Sequence, residues 1–104
     1  MATRPLTYHF DWDPRKAQSN LREHKVSFPL ASTVFHDPLA LTVYDAAHSE
    51  TEERWATIGQ AGNEQTLVVI HTFGHTSPTD AAIRVISARK ATKQELRDYQ
   101  HTPH

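Results

Sequence analysis

The sequence predicts an α+β domain: an antiparallel sheet with helices packed on one face, in the order β-α-α-β-β-β-β-α. Three observations lead there. An alternating aromatic run near the start precedes two helix signals. Four runs with strand character then follow one another across mostly short turns, and a capping box opens a last helix. Strands joined by short turns pair antiparallel, because a parallel return needs a long crossover. At 104 residues, 38% hydrophobic and 22% charged, the chain fits one domain, 1–104, with a core over 7–99 and a fraying tail at 100–104.

The first strand is "LTYHFDW", where Tyr8, Phe10 and Trp12 alternate with polar residues and share a face. Phe10 and Trp12 therefore read as core. Asp13 is an N-cap with Pro14 at the first helical position, where a missing N–H costs nothing. That helix runs to about His24, with Ala17, Leu21 and His24 on one side. Ser27 caps a second, shorter helix carrying Leu30, Ala31, Val34 and Phe35, and "HDP" at 36–38 ends it. "LALTVYD" at 39–45 alternates with Leu39, Leu41 and Val43 inward. "ERWATIGQ" at 53–60 turns through "AGNEQ" into "TLVVIHTF" at 66–73, which is apolar on both faces and therefore central. A loop, "GHTSPTD", of mobile length leads to the last strand at 82–89. Thr92 and Glu95 form the capping box of the final helix.

The inventory removes several function classes. There is no cysteine, so disulfides, thiolate chemistry and Cys-type zinc sites are excluded. The eight histidines form no H-x-x-x-H pair on a predicted helix, and His71 and His75 straddle a strand end, so neither metal nor other cofactor is expected. No G-x-S-x-G elbow or glycine-rich phosphate loop is present. The opening residues carry no apolar secretory segment and "LVVI" is too short to span a bilayer, so the expected location is cytoplasmic.

A net charge of −1 argues weakly against nucleic acid, but the charge is segregated. Residues 15–25 and 84–97 are basic, and the middle is acidic. Polar groups gather at element ends. By strand alternation, Arg54 shares a face with Ala56 and Ile58, Arg84 with Ile86 and Ala88, and Arg89 lies opposite with Val85. An Arg on an apolar face needs a carboxylate, such as Glu53 or Asp45, or serves as a preset cation for phosphate.

Several blocks in order then resemble one family: Phe10, Trp12, Asp13, Lys16, Ala17, Asn20, His24, Val26, Ser27 and Phe28; Val34, Phe35, Asp37 and Pro38; His48, Ser49, Glu52 or Glu53, and Arg54; and Ile86 to Arg89 with Ala91, Thr92 and Glu95. This pattern, over residues 10–99, is similar to the BrnT family of bacterial toxins. The resemblance implies a metal-free ribonuclease of RelE-like fold. It further implies a BrnA antitoxin of ribbon-helix-helix type that neutralises it in a hetero-oligomer and carries it to operator DNA. The family commonly has Gly where this chain has Lys25, which must then adopt a left-handed conformation or end the helix otherwise.

Metal-free RNA cleavage by the 2′-hydroxyl needs proton-transfer groups and cations. Arg54 and Arg89 are the candidate cations, and His24, His48 and Glu53 the candidate proton carriers. Lys16, Asn20, Arg84 and Lys90 are candidates for contacting RNA. His24 reads equally as a hydrogen-bonded residue at the core edge. Two other readings are an inactive toxin-like corepressor acting with its antitoxin, and an unrelated small α+β binding protein.

Overall fold

A computed structural model describes residues 6–101. The elements are β1 (Thr7–Asp11), α1 (Pro14–His24), α2 (Phe28–Ser32), a 3-10 turn (Thr33–His36), β2 (Leu41–Tyr44), a second 3-10 turn (Ala46–His48), β3 (Trp55–Gln60), β4 (Thr66–His71), β5 (Gly74–Ser77), β6 (Asp80–Lys90) and α3 (Lys93–His101). The expected α+β class forms, with one strand more than expected, β5, between β4 and the last strand. Of the tail expected at 100–104, residues 100 and 101 belong to α3, and 102–104 lie outside the described residues.

The sheet has six strands in the order β1-β6-β4-β3-β2, with β5 also pairing β6. β2, β3, β4 and β6 form an antiparallel series. β1 joins in parallel, Thr7 opposite Asp80 through Asp11 opposite Arg84. No short turn constrains β1, because nearly the whole chain lies between it and its partner. The segment expected to be a mobile loop instead supplies β5. Its turn is fixed by the Asp80 carboxylate, which accepts from Ser77 Oγ at 2.7 Å and Thr79 Oγ1 at 2.9 Å.

The helices α1 and α2 cover one face. Val26, Phe28, Ala31 and Val34 bury there against Leu67, Val69, Ile83, Val85 and Ala88. Tyr8, Phe10 and Trp12 pack on the margin of this cluster, as their alternation predicts. Gly59 lets the chain pass closely: a Cβ there would meet Val34 Cβ and O at 3.3 Å. The helix α3 departs from the one-face expectation. Its Glu95, Asp98 and Tyr99 line a cleft with Leu41, Val43, Ala56, Ile58 and Val68 on the opposite face. Leu39 and Val43 are accordingly exposed rather than inward, and Leu21 on α1 is exposed as well.

A bulge resets the faces of β6. His71 pairs Val85 but Ile70 pairs Ser87, so Ile86 is an extra residue. The alternation inverts there: Val85 and Ala88 are both buried. Arg84 and Arg89 consequently share the outward face, correcting the expectation that they lie on opposite ones.

Asn20 is the buried polar hinge of α1. Its Nδ2 donates to Val26 O at 2.9 Å and Ala88 O at 2.8 Å, and its Oδ1 accepts from Ala88 N at 3.0 Å. Lys25 ends α1 in the left-handed region, φ 59°, with its N–H on Leu21 O. Thr92 and Glu95 make the expected capping box, Glu95 N to Thr92 Oγ1 at 3.1 Å and Thr92 N to Glu95 Oε1 at 2.8 Å.

Candidate active site

The loop between β2 and β3 is closed by Ser49. Its hydroxyl donates to Asp45 O at 2.6 Å and accepts the Arg54 N–H at 3.0 Å, while Asp45 N donates to Arg54 O at 2.9 Å. This knot sets the backbone of Arg54 just before β3. The Arg54 side chain reaches Glu52 Oε1 at 3.6 Å, and Arg84 NH2 donates to Glu52 Oε2. Two guanidinium groups 30 positions apart in sequence thus converge on one carboxylate. Among the described residues, Arg54 Nε is buried without a hydrogen-bond partner. An N–H in that state favours an anionic acceptor. Arg54 also lines a cavity of about 310 Å³ with Ala47, Glu50 and Thr51.

Glu52, not Glu53 or Asp45, is therefore the carboxylate between the two arginines. Glu53 is exposed and makes no ion pair among the described residues. The signal that could have selected Glu52 was its spacing two residues before Arg54. The backbone of His48 forms the turn before Ser49; its side chain lies outside the described residues.

Arg89 stands apart. Its NH1 and NH2 donate to Glu95 Oε1 at 2.7 Å and Oε2 at 2.9 Å. This contact holds the Glu95 carboxyl down at about 2, with capping of Thr92 adding to the effect. Strand spacing puts the Cα atoms of Arg54 and Arg89 roughly 16 Å apart on the same face, four residues along β3 and two strands across. The structure thus pairs Arg54 with Arg84 and gives Arg89 a tie to α3.

Lys16 and His24 are exposed on α1 and line a cavity of about 250 Å³ against Ile86 and Ser87, the open edge of β6. Asn20 forms part of the same wall, but it is 5% exposed and its amide is committed inward. The expectation that Asn20 faces RNA is corrected on that ground: the side chain stands in for a strand. Lys90 is exposed at the far end of β6, beside a cavity of about 650 Å³ that α3 closes. Among the described residues, no group of three or more His, Asp or Glu is arranged to hold a metal ion. No helix among them is long and apolar enough to cross a membrane.

The family model for "Ribonuclease toxin, BrnT, of type II toxin-antitoxin system" matches residues 12–95. The chain belongs to the BrnT toxin family. Its fold matches the crystal structure of the Brucella abortus ribonuclease toxin BrnT, with a TM-score of 0.55 and 24% identity over 88% of this chain and 100% of that one. No curated protein matches the chain. The BrnT match takes in α1, the loop that ends at Arg54, and β6 to Glu95, so the arginine pair and its carboxylate fall inside the family region. A member of this family is the toxin of a type II pair, which implies an antitoxin partner.

Proposed function

We propose that this BrnT toxin is a metal-independent endoribonuclease that arrests growth by cutting RNA, and that a BrnA-like ribbon-helix-helix antitoxin neutralises it and brings the pair to operator DNA. The observation that carries the reading is the convergence of Arg54 and Arg84 on Glu52 in a chain of a ribonuclease-toxin family. A phosphate entering between the arginines would compete for both guanidinium groups, which suit its oxygens. Glu52, released from them, would then take the proton of the attacking 2′-hydroxyl. The arginines would hold the charge that grows on the phosphorus oxygens. His48, whose backbone adjoins Ser49, is our candidate for protonating the leaving 5′-oxygen, with His24 as the alternative. Lys16 and Lys90 would contact flanking phosphates, and Arg89 would act through its hold on α3.

The test is incubation of the purified protein with messenger RNA at low salt in the presence of a chelator. Low salt matters because phosphate contacts weaken steeply with ionic strength. Cleavage leaving 2′,3′-cyclic phosphate ends is expected. Arg54→Ala and Arg84→Ala should each slow it at least tenfold without moving the unfolding midpoint. The ribbon-helix-helix protein encoded beside it should abolish it. Intact RNA in the presence of folded toxin would instead favour the corepressor reading.

A further inference from the structure

A second concave site lies on the helix-covered face, at the same end of the sheet as the arginine pair. Tyr8, Phe35, Thr42, Trp55, His71 and Phe73 enclose about 380 Å³, within the range of small-ligand pockets. Trp55 and His71 are register partners, and Tyr44 stacks edge-on against Trp55 at 5.2 Å between ring centres. Phe35 meets His71 edge-on at 4.8 Å. Phe73 is 41% exposed at the rim, where the His75 ring meets it edge-on at 5.1 Å between ring centres.

The polar groups of this cup are ordered in one direction. His71 is 1% exposed, and burial lowers its pKa, so the ring is neutral. Its Nδ1–H donates to Thr72 O at 2.9 Å, leaving Nε2 to accept the Thr57 hydroxyl at 2.7 Å. Thr57 in turn accepts the Thr42 hydroxyl at 2.8 Å. Thr42 Oγ1 has donated its proton inward and keeps acceptor capacity at the cup. The wall is thus uncharged, made of flat rings, and offers an oxygen to an incoming N–H.

Flat π surfaces with one acceptor suit a nucleobase better than an aliphatic side chain, since every base has a stacking face and most present an edge N–H. The charge around the cup agrees. Arg54 directly precedes Trp55, and the Arg84 backbone N–H is bonded to Thr72 Oγ1 at 3.2 Å, between His71 and Phe73. The backbones that carry the two arginines are therefore continuous with those that carry the cup, while their guanidinium groups meet at Glu52 on the other face of the same sheet end. We propose that this aromatic cup is a nucleobase-binding subsite for the RNA whose phosphate lies at Arg54 and Arg84. The proposal rests on the nuclease reading above.

The test is direct binding, independent of cleavage. AMP, GMP, CMP and UMP are titrated against the full chain, with ribose 5-phosphate as the probe that lacks a base. At least one nucleotide is expected to bind tenfold or more tightly than ribose 5-phosphate. Phe73→Leu, which keeps bulk and loses the π face, should weaken that nucleotide at least fivefold without changing the unfolding midpoint, and Phe73→Tyr should restore it. Equal binding of nucleotide and ribose 5-phosphate overturns the proposal. So does a Phe73→Leu variant that binds nucleotide normally and loses affinity for the antitoxin, because the cup would then receive a protein side chain. Failure of RNA cleavage with base-dependent binding intact would count against the nuclease alone. Cleavage that keeps its rate and site preference in Phe73→Leu would remove the subsite alone.

Discussion

The side-chain amide of Asn20 bonds both the N–H and the C=O of Ala88, as the backbone of a neighbouring strand would. β1 ends opposite Arg84, so β6 has no strand on that side beyond it. A helix residue completes the edge, and the same amide ties Val26 in the link to α2. Asn20→Ala leaves buried backbone groups unsatisfied and should cost roughly 2–4 kcal/mol. Asn20→Asp should cost at least as much, since it turns a donor toward two carbonyls into a charge. Urea midpoints at unchanged slope measure both.

Glu52 and Glu53 should separate cleanly in activity. Glu52→Gln removes the proton acceptor and loosens both arginines, and single-turnover RNA cleavage should fall at least tenfold. Glu53→Gln, on an exposed side chain without an ion pair among the described residues, should leave the rate unchanged. Equal losses in the two variants would count against the Glu52 assignment.

Acid should destabilise the fold partly through Glu95. Its carboxyl sits at about 2 against an ordinary 4.5, chiefly through hydrogen bonds from Arg89. The unfolded chain therefore binds that proton at higher pH than the folded one. The contribution is full above about 4.5 and is lost as pH falls toward about 2. Glu95→Gln, which retains a capping side chain, should show a smaller drop in unfolding midpoint between pH 6 and pH 3 than the parent protein.

Lys25 carries a side chain at φ 59°, where glycine is free of penalty. Lys25→Gly gives up the Nζ contact to Arg22 O at 3.1 Å, an exposed one, and relieves the left-handed backbone. A net gain of roughly 0.5–1 kcal/mol in unfolding free energy is expected.

Much of the fold was legible because it rests on local chemistry. Asp13 with Pro14, Ser27, and Thr92 with Glu95 mark helix starts through hydrogen bonds within three residues. The aromatic alternation of β1 and the apolar run of β4 announce their burial in the same way. The candidate site was legible only in its parts. Arg54 and Arg84 stood out as cations on apolar strands, yet the family pattern left Glu52 and Glu53 both open, and only the folded loop brings Glu52 between the two arginines.

The sequence by itself determined the elements, their caps and the charge types available, since those follow from near neighbours along the chain. The tertiary structure alone decided which cations meet. One bulged residue, Ile86, inverts the alternation of β6 and sets Arg89 on the face of Arg84, and strand order then leaves Arg89 beside α3 while Arg84 reaches the Glu52 that Arg54 also contacts. Register and long-range pairing depend on contacts between distant segments, and a single inserted residue in a strand changes the face of every side chain beyond it.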